Sequence, residues 1–157
     1  MITVFPSPLG FITLEEEENA LIRLSISREG RALAAPSPLL AEAQRQLTAY
    51  FQQRLQQFSL PLAPKGTPFQ QRVWQGLLSI PYGCTLSYAQ LAAHIGKAKA
   101  CRAVGQANGK NPLPILIPCH RVIAANGGLG GYSAGYGMKE QLLALEKIQP
   151  WASEIYT

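Results

Sequence analysis

A thiol, an imidazole and a guanidinium stand side by side in the stretch ILIPCHRVI, residues 115–123. Apolar residues flank Cys119, His120 and Arg121 on both sides, so these groups fall where the chain looks most like buried core. A cysteine becomes a nucleophile when a base takes its proton and positive charge stabilises the thiolate. His120 can be the base, and a protonated His120 or a nearby cation can supply the positive charge. The alternative is an inert core cysteine, because an adjoining Cys-His pair is by itself a weak signal.

The segment that carries Cys119 is rich in proline. Pro112, Pro114 and Pro118 exclude a helix through it and predict an extended, stiff run. In an extended strand successive side chains point to opposite faces, so His120 would face away from Cys119. A bridging water is then needed to relay a proton between them.

The composition excludes several other kinds of site. The chain contains no Asp, which rules out Ser-His-Asp triads and Asp-based magnesium sites. Cys84, Cys101 and Cys119 cannot all pair and have no zinc-ligand spacing, so we expect free thiols in a reducing compartment and no metal. The first residues do not read as a secretory signal, and no apolar run approaches the ~18 residues of a membrane span. We therefore expect a cytoplasmic protein without membrane contact.

Positive charge is distributed unevenly along the 157 residues. Residues 1–66 carry six Lys/Arg and six Glu, whereas residues 67–157 carry eight Lys/Arg and three Glu, so the net charge of +5 lies in the second part. Between Glu42 and Glu140 there are ten basic residues and no acidic one. This pattern predicts a surface that binds a polyanion such as nucleic acid. The alternative is a soluble protein that happens to be basic.

The first part of the chain is expected to form a support domain, residues 1–66. Its first ~30 residues alternate apolar and polar positions around Pro/Gly turns, as strands do. Helical spacing of apolar residues follows from 39 to 58, with Ser37 as a candidate cap and Pro38 in the first turn. Residues 59–68 are rich in Pro and Gly and are predicted to be the linker to a second domain, residues 67–157.

Three further helices are predicted in the second domain. Thr67 and Pro68 open the first, whose expected inward residues are Phe69, Val73, Trp74, Leu77 and Leu78. Ser87 caps the second, which ends at Gly96, and the third begins about three residues later within KAKACRAVGQANGKN. Two short helices joined by a tight Gly-containing turn, in the basic half, predict a helix-turn-helix.

A helical wheel separates two faces of the third helix. The inward face contains Ala100, Ala103, Val104 and Ala107, and the outward face contains Lys99, Arg102, Gly105, Gln106 and Gly109. Each mid-helix Gly costs about 1 kcal/mol relative to Ala, so two of them indicate close approach to another surface. A DNA groove with Arg102 projecting into it fits this pattern. An ordinary solvated face is the alternative.

Four stretches covering nearly all of residues 67–148 resemble one family: FQQRVWQGLLSIPYGCTLSYAQLAAHIG, ACRAVGQANGKNP, NPLPILIPCHRV and GGLGGYSAGYGMKEQLLALE. The resemblance is to the O6-alkylguanine-DNA alkyltransferases, the methylated-DNA–protein-cysteine methyltransferases, whose active-site signature matches IPCHRV. It implies an α+β fold. A small N-terminal β-sheet plus helix domain, ribonuclease-H-like, precedes a helical, winged helix-turn-helix-like domain for DNA binding and catalysis.

The resemblance also implies a role for each matched residue. Cys119 accepts the alkyl group, His120 takes its proton through a water, and Glu146 orients His120. Tyr88 hydrogen-bonds the flipped guanine and helps rotate a phosphate, while Asn111 braces the active-site turn. Arg102 is implied to fill the space that the flipped base leaves. The implied DNA contacts are Lys99, Ala103, Gly105 and Gln106. The guanine is contacted by Val122 and Ser133, and the alkyl group by Pro114 and Tyr132.

The implied activity is repair of O6-alkylguanine in double-stranded DNA by irreversible, single-turnover transfer to Cys119, without a cofactor. O4-alkylthymine is a second candidate substrate, and a monomer is expected. One alternative is an alkyltransferase-like protein that binds the lesion without transfer, but such relatives replace the acceptor Cys, commonly with Trp. Another is a Cys-His peptidase or amidase, although no signature of such a family surrounds Cys119.

Overall fold

The computed structural model describes residues 1–124 and 137–147. The chain forms two compact units, Met1–Lys65 and Gly66–Thr157, which together give the expected α+β fold. Within the described residues, no helix has the length and apolar character needed to cross a membrane.

The first unit is built on a three-stranded antiparallel sheet in the order β1 (Ile2–Ser7), β2 (Gly10–Glu17) and β3 (Ala20–Ser27). Strands β2 and β3 are joined through Glu18 and Asn19, which both have positive φ, at 51° and 62°. A two-residue turn of that kind matches the right-handed twist of the strands it connects. Ile12 and Leu14 of β2 and Leu21 of β3 are fully buried, so the sheet supplies the core of this unit.

Helix α1 (Pro38–Phe51) begins where the sequence predicts, because the Ser37 side chain accepts a hydrogen bond from the Leu40 N–H. It ends earlier than the apolar spacing to residue 58 predicts. Gln53 adopts a φ of 61°, and the chain then returns so that the Phe58 ring packs 5.3 Å from that of Tyr50, centroid to centroid. Phe58 is therefore apolar because it packs on the helix, not because it belongs to it.

The second unit contains α2 (Pro68–Leu78), β4 (Leu86–Ser87), α3 (Tyr88–His94), α4 (Cys101–Gly109), β5 (Val122–Ile123) and α5 (Met138–Lys147). Capping boxes fix the start of α2, through Thr67 and Gln70, and of α3, through Ser87 and Gln90. Gly96, at φ +77°, ends α3 and leads into α4. Helices α3 and α4 form the predicted helix-turn-helix.

Two predicted inward residues are in fact exposed. On α2, Leu78 is 43% exposed, and Gly76 is buried instead. A Cβ atom on Gly76 would lie 2.7 Å from the Ile95 side chain, so the glycine allows the residues that end α3 to pack directly on α2. On α4, Ala103 is exposed, whereas the polar Asn108 is 2% exposed. The wheel assigned α4 by hydrophobicity and therefore could not place a buried Asn.

Candidate active site

Cys119 lies in a single 3-10 turn, Cys119–Arg121, and not in the extended strand that the prolines predict. Pro118 precedes the turn instead of interrupting it, and its carbonyl accepts the Arg121 N–H at 3.0 Å. Proline lacks a donor but keeps its acceptor, so it can begin a turn that it could not continue. Cys119 is 4% exposed and His120 is fully buried.

The turn that leads to Cys119 is held by Asn111. Its amide nitrogen donates to the Ile117 carbonyl at 2.8 Å, and its amide oxygen accepts the Leu113 N–H at 3.0 Å. Between them Ile115 has a φ of +75°, a conformation that β-branched residues rarely adopt. Such strain costs about 1–3 kcal/mol and persists only where the surroundings enforce it. The nucleophile's support is therefore a rigid, internally bonded turn.

Glu146 of α5 hydrogen-bonds both the cysteine turn and Gly83, which follows α2. Its Oε2 lies 2.6 Å from His120 Nε2 and 3.0 Å from Arg121 Nη2, and its Oε1 accepts from Arg121 Nε at 2.9 Å and from the Gly83 N–H at 3.3 Å. Arg121 also donates to the Ile80 carbonyl at 2.7 Å and lies over the Tyr82 ring. This buried network joins α5, the cysteine turn and the segment after α2.

Hydrogen bonding and burial together set the charges in this network. Burial alone would raise the pKa of Glu146, but hydrogen bonds from His120 and Arg121 and the charge of Arg121 lower that pKa to about 2. Burial lowers the pKa of His120 and outweighs the opposing effect of Glu146. A carboxylate can only accept, so Nε2 of the neutral His120 carries the proton and Nδ1 keeps its lone pair. Nδ1 is buried and has no hydrogen-bond partner among residues 1–124 and 137–147.

The free energy of unfolding is expected to fall as the solution is acidified. Because the pKa of His120 is depressed, the unfolded chain binds a proton near pH 6.5 that the folded protein resists. Glu146, with a folded pKa of about 2 against an ordinary 4.5, stabilises the fold above pH 4.5 and loses that effect as the pH falls towards 2. Urea denaturation at a series of pH values measures this dependence. A profile that stays flat between pH 6.5 and 4.5 would contradict the neutral His120.

A short parallel pair brings Tyr88 to the cysteine turn. Leu86 and Ser87 of β4 pair with Val122 and Ile123 of β5, so the first residue of α3 lies beside the chain that leaves the turn. Burial and the charge of Cys119 raise the pKa of Tyr88, while a hydrogen bond from Asn108 lowers it; the net shift is upward. Tyr88 therefore keeps its proton and can donate it in a hydrogen bond.

Lys139 of α5 adds a buried positive charge to this cluster. It is 2% exposed, and its Nζ lies 5.8 Å from the centroid of the Tyr88 ring. Burial lowers the pKa of Lys139, and the charge of Cys119 opposes that shift. A cation so placed stabilises a thiolate, the reactive form of cysteine.

The outer face of α4 presents the side chains that are predicted to contact DNA. Lys99, which precedes the helix, and Arg102, Ala103 and Gln106 are exposed. Gly105 is half-buried, because its Cβ position lies 3.6 Å from the Tyr88 ring. At Gly109 an added Cβ would meet nothing within 4 Å, so this glycine opens to solvent.

Two of the four residues predicted to line the base and alkyl pocket lie within the described residues. Val122 is fully buried in β5, and Pro114 is half-buried where it bridges Ile117 in the Asn111 turn. Tyr132 and Ser133 lie outside the described residues.

Comparison with known protein families identifies the family to which this chain belongs. Residues 1–64 match the ribonuclease-like domain of 6-O-methylguanine DNA methyltransferase, and residues 68–148 match the DNA binding domain of the same enzyme. The chain belongs to the 6-O-methylguanine DNA methyltransferase family. The two matched regions confirm the expected fold. The helix-turn-helix and the cysteine turn of this methyltransferase both lie in the DNA binding domain, residues 68–148.

Relatives of this methyltransferase match nearly its whole length. It is 47% identical over 156 residues to the constitutive methylated-DNA–protein-cysteine methyltransferase of Bacillus subtilis, covering 93% of this chain and 94% of that protein. It is 46% identical over 149 residues to the enzyme of Methanosarcina acetivorans, covering 91% and 96%. A crystal structure of Mycobacterium tuberculosis OGT in complex with DNA superposes with a TM-score of 0.83 at 46% identity, covering 92% and 91%.

Three buried polar residues of the methyltransferase site received no role from the sequence. Arg121 was visible only as a charge between two apolar runs, and nothing in the sequence indicated that it binds Glu146. Lys139 stands at the start of an amphipathic helix, where a lysine is usually solvated. Asn108 follows Ala107 in α4 and donates to the Cys119 carbonyl. Only the packing of the helices reveals that these side chains are buried.

Proposed function

We propose that this methyltransferase repairs O6-alkylguanine in duplex DNA by taking the alkyl group onto Cys119, once per molecule. The sulfur forms a bond to the alkyl carbon, the bond from that carbon to O6 breaks, and guanine leaves as an anion that takes up a proton. The product is a thioether. It has no electrophilic carbonyl for water to attack, so the protein does not recover its thiol. Direct reversal of this kind is the activity of the family.

The observation that carries the proposal is the buried, unused lone pair of Nδ1 on His120, the residue that follows Cys119. Glu146 holds the His120 ring in place through Nε2 and leaves Nδ1 as the base. Nδ1 takes the proton of the Cys119 thiol through a bridging water. Lys139 then stabilises the thiolate, and Tyr88 donates to the guanine as negative charge develops on it. We assign the alkyl pocket and the remaining guanine contacts to Pro114, Tyr132, Val122 and Ser133.

Access to a buried thiol requires the base to leave the duplex. Cys119 is 4% exposed, so a stacked base cannot reach it and must rotate out, which costs a few kcal/mol. We assign DNA docking to the exposed face of α4, which places Lys99, Ala103, Gly105 and Gln106 near the groove. Arg102 then occupies the position in the base stack that the flipped base has left. We also propose that the protein acts as a monomer.

Intact mass spectrometry tests the proposed reaction. Mixed with a duplex that contains O6-methylguanine, the protein should gain the mass of one methyl group, and peptide mapping should find it on Cys119. The gain should stop at one group per chain however much DNA is added. An unmodified protein would refute transfer and favour the lesion-binding alternative, whereas turnover beyond one equivalent would favour a hydrolase.

An Arg102→Ala variant should transfer methyl groups from duplex DNA roughly tenfold to a hundredfold more slowly, because it cannot offset the cost of unstacking the base. Transfer from the free base O6-methylguanine should change little, since no stack has to be opened. Single-turnover rates on the two substrates measure the difference. Arg72→Ala, which removes an exposed arginine on α2, is the matched control. Equal losses on duplex and free base would contradict the role of Arg102.

A further inference from the structure

Asn108 is a polar residue at the cysteine turn that the proposed reaction does not use. It lies on the buried face of α4 and is 2% exposed. Its Nδ2 donates to the carbonyl oxygen of Cys119 at 3.4 Å, and its amide also contacts the phenol of Tyr88. Gly105, one helical turn earlier on α4, lies against the Tyr88 ring, so the same side of the helix faces Tyr88 at both positions. Asn108 therefore touches two groups assigned to the base pocket.

The amide oxygen of Asn108 is an unsatisfied hydrogen-bond acceptor among the described residues. Asn108 Oδ1 is buried and has no hydrogen-bond partner among residues 1–124 and 137–147. The amide cannot turn round to exchange its ends, because Oδ1 would then face the Cys119 carbonyl and two acceptors would meet. A buried acceptor without a donor is unfavourable, and one beside a reacting group indicates that a ligand supplies the donor.

The chemistry of the substrate identifies that donor. When O6 of guanine carries an alkyl group, N1 loses its hydrogen, and N3 and N7 are acceptors as well. In a nucleotide N9 is bonded to the sugar, so the exocyclic 2-amino group holds the only N–H bonds of the base. Resting on the proposed function, we infer that Asn108 Oδ1 accepts a hydrogen bond from the 2-amino group of the flipped O6-alkylguanine, and that Asn108 is a specificity-determining residue.

The inference also separates the two candidate lesions. O4-alkylthymine has no amino group, and alkylation at O4 removes the hydrogen from N3, so this base has no N–H donor for Asn108 Oδ1. Guanine lesions should therefore depend on Asn108, and thymine lesions should not. A side chain that only supports the cysteine turn would affect both equally.

Single-turnover transfer rates on single-stranded oligonucleotides test the inference without the influence of base pairing. The wild-type protein should act on O6-methylguanine about tenfold faster than on O6-methylhypoxanthine, which lacks only the 2-amino group. In Asn108→Met, whose side chain is apolar and one atom longer, this ratio should fall to about one, mainly through loss of rate on O6-methylguanine. Asn108→Ala should give the same ratio, and it keeps the test available if Met cannot be accommodated.

Each outcome separates this inference from the proposed function. A wild-type protein that methylates Cys119 but shows equal rates on the two bases, or a variant that keeps the wild-type ratio, overturns the role of Asn108 and leaves the transfer reaction standing. Equal losses on both bases would make Asn108 a structural support only. A wild-type protein that methylates from neither base refutes the proposed function and this inference together.

Discussion

Cys119→Ala should abolish methyl transfer while leaving DNA binding intact. The substitution removes the sulfur that is assigned to form the bond to the alkyl carbon, and the free Nδ1 of His120 is a far weaker nucleophile than a thiolate. The lost sulfur is a small buried group, so the cost to the free energy of unfolding should be about 1 kcal/mol. Mass spectrometry after incubation with methylated duplex should show no added methyl group, and a binding titration on the same duplex should give an unchanged affinity.

The other two cysteines provide matched controls for that variant. Cys101 is exposed and Cys84 is half-buried, and neither belongs to the Glu146 network. Cys101→Ala and Cys84→Ala should each accept one methyl group at the wild-type rate. If Cys119→Ala still gains a methyl group, or if either control loses transfer instead, the acceptor has been wrongly assigned.

Glu146→Gln should slow transfer by about a hundredfold to ten-thousandfold, the range that general-base catalysis contributes. The amide nitrogen of Gln can donate to His120 Nε2, which favours the tautomer with its proton on Nδ1 and removes the base. The substitution also leaves Arg121 as a buried charge without its carboxylate, which should lower the free energy of unfolding by about 3–5 kcal/mol. Single-turnover rates and urea denaturation measure the two effects separately.

Glu140→Gln, an exposed position on the same helix, should change neither quantity. The double variant Arg121→Met with Glu146→Gln should regain much of the lost stability, since no unpaired charge stays buried, but it should not regain the rate. Recovery of both in the double variant would show that Glu146 serves only the fold. A wild-type rate in Glu146→Gln itself would exclude His120 as the base.

Local sequence signals placed the helices of the second unit well. The starts of α2 and α3 depend on Thr67 with Gln70 and on Ser87 with Gln90, contacts between residues three apart that any helix start would make. The end of α1 and the inward faces of α2 and α4 were predicted less well. Each depends on a partner outside the helix concerned: Phe58 returning to Tyr50, Ile95 against Gly76, and the cysteine turn beside Asn108.

The conformation of the cysteine turn shows the same limit. Three prolines correctly excluded a long helix, but they could not distinguish an extended run from a turn that uses the Pro118 carbonyl as its acceptor. The difference matters, because the turn and the contact with α5 together fix where His120 lies. The orientation of His120 is thus a property of a contact 26 residues away in sequence.

By itself the sequence determined the family, the basic half of the chain and the helix-turn-helix, because residue types and short spacings encode all three, and it predicted which cysteine is the acceptor. The tertiary structure decided the protonation of the site. Whether Glu146 is ionised, whether His120 is neutral and which polar groups lack a partner depend on burial and on hydrogen-bonding groups that converge from α4, α5, the cysteine turn and the segment after α2. Burial and charge compensation arise only when distant segments pack together, and no local pattern of residues records them.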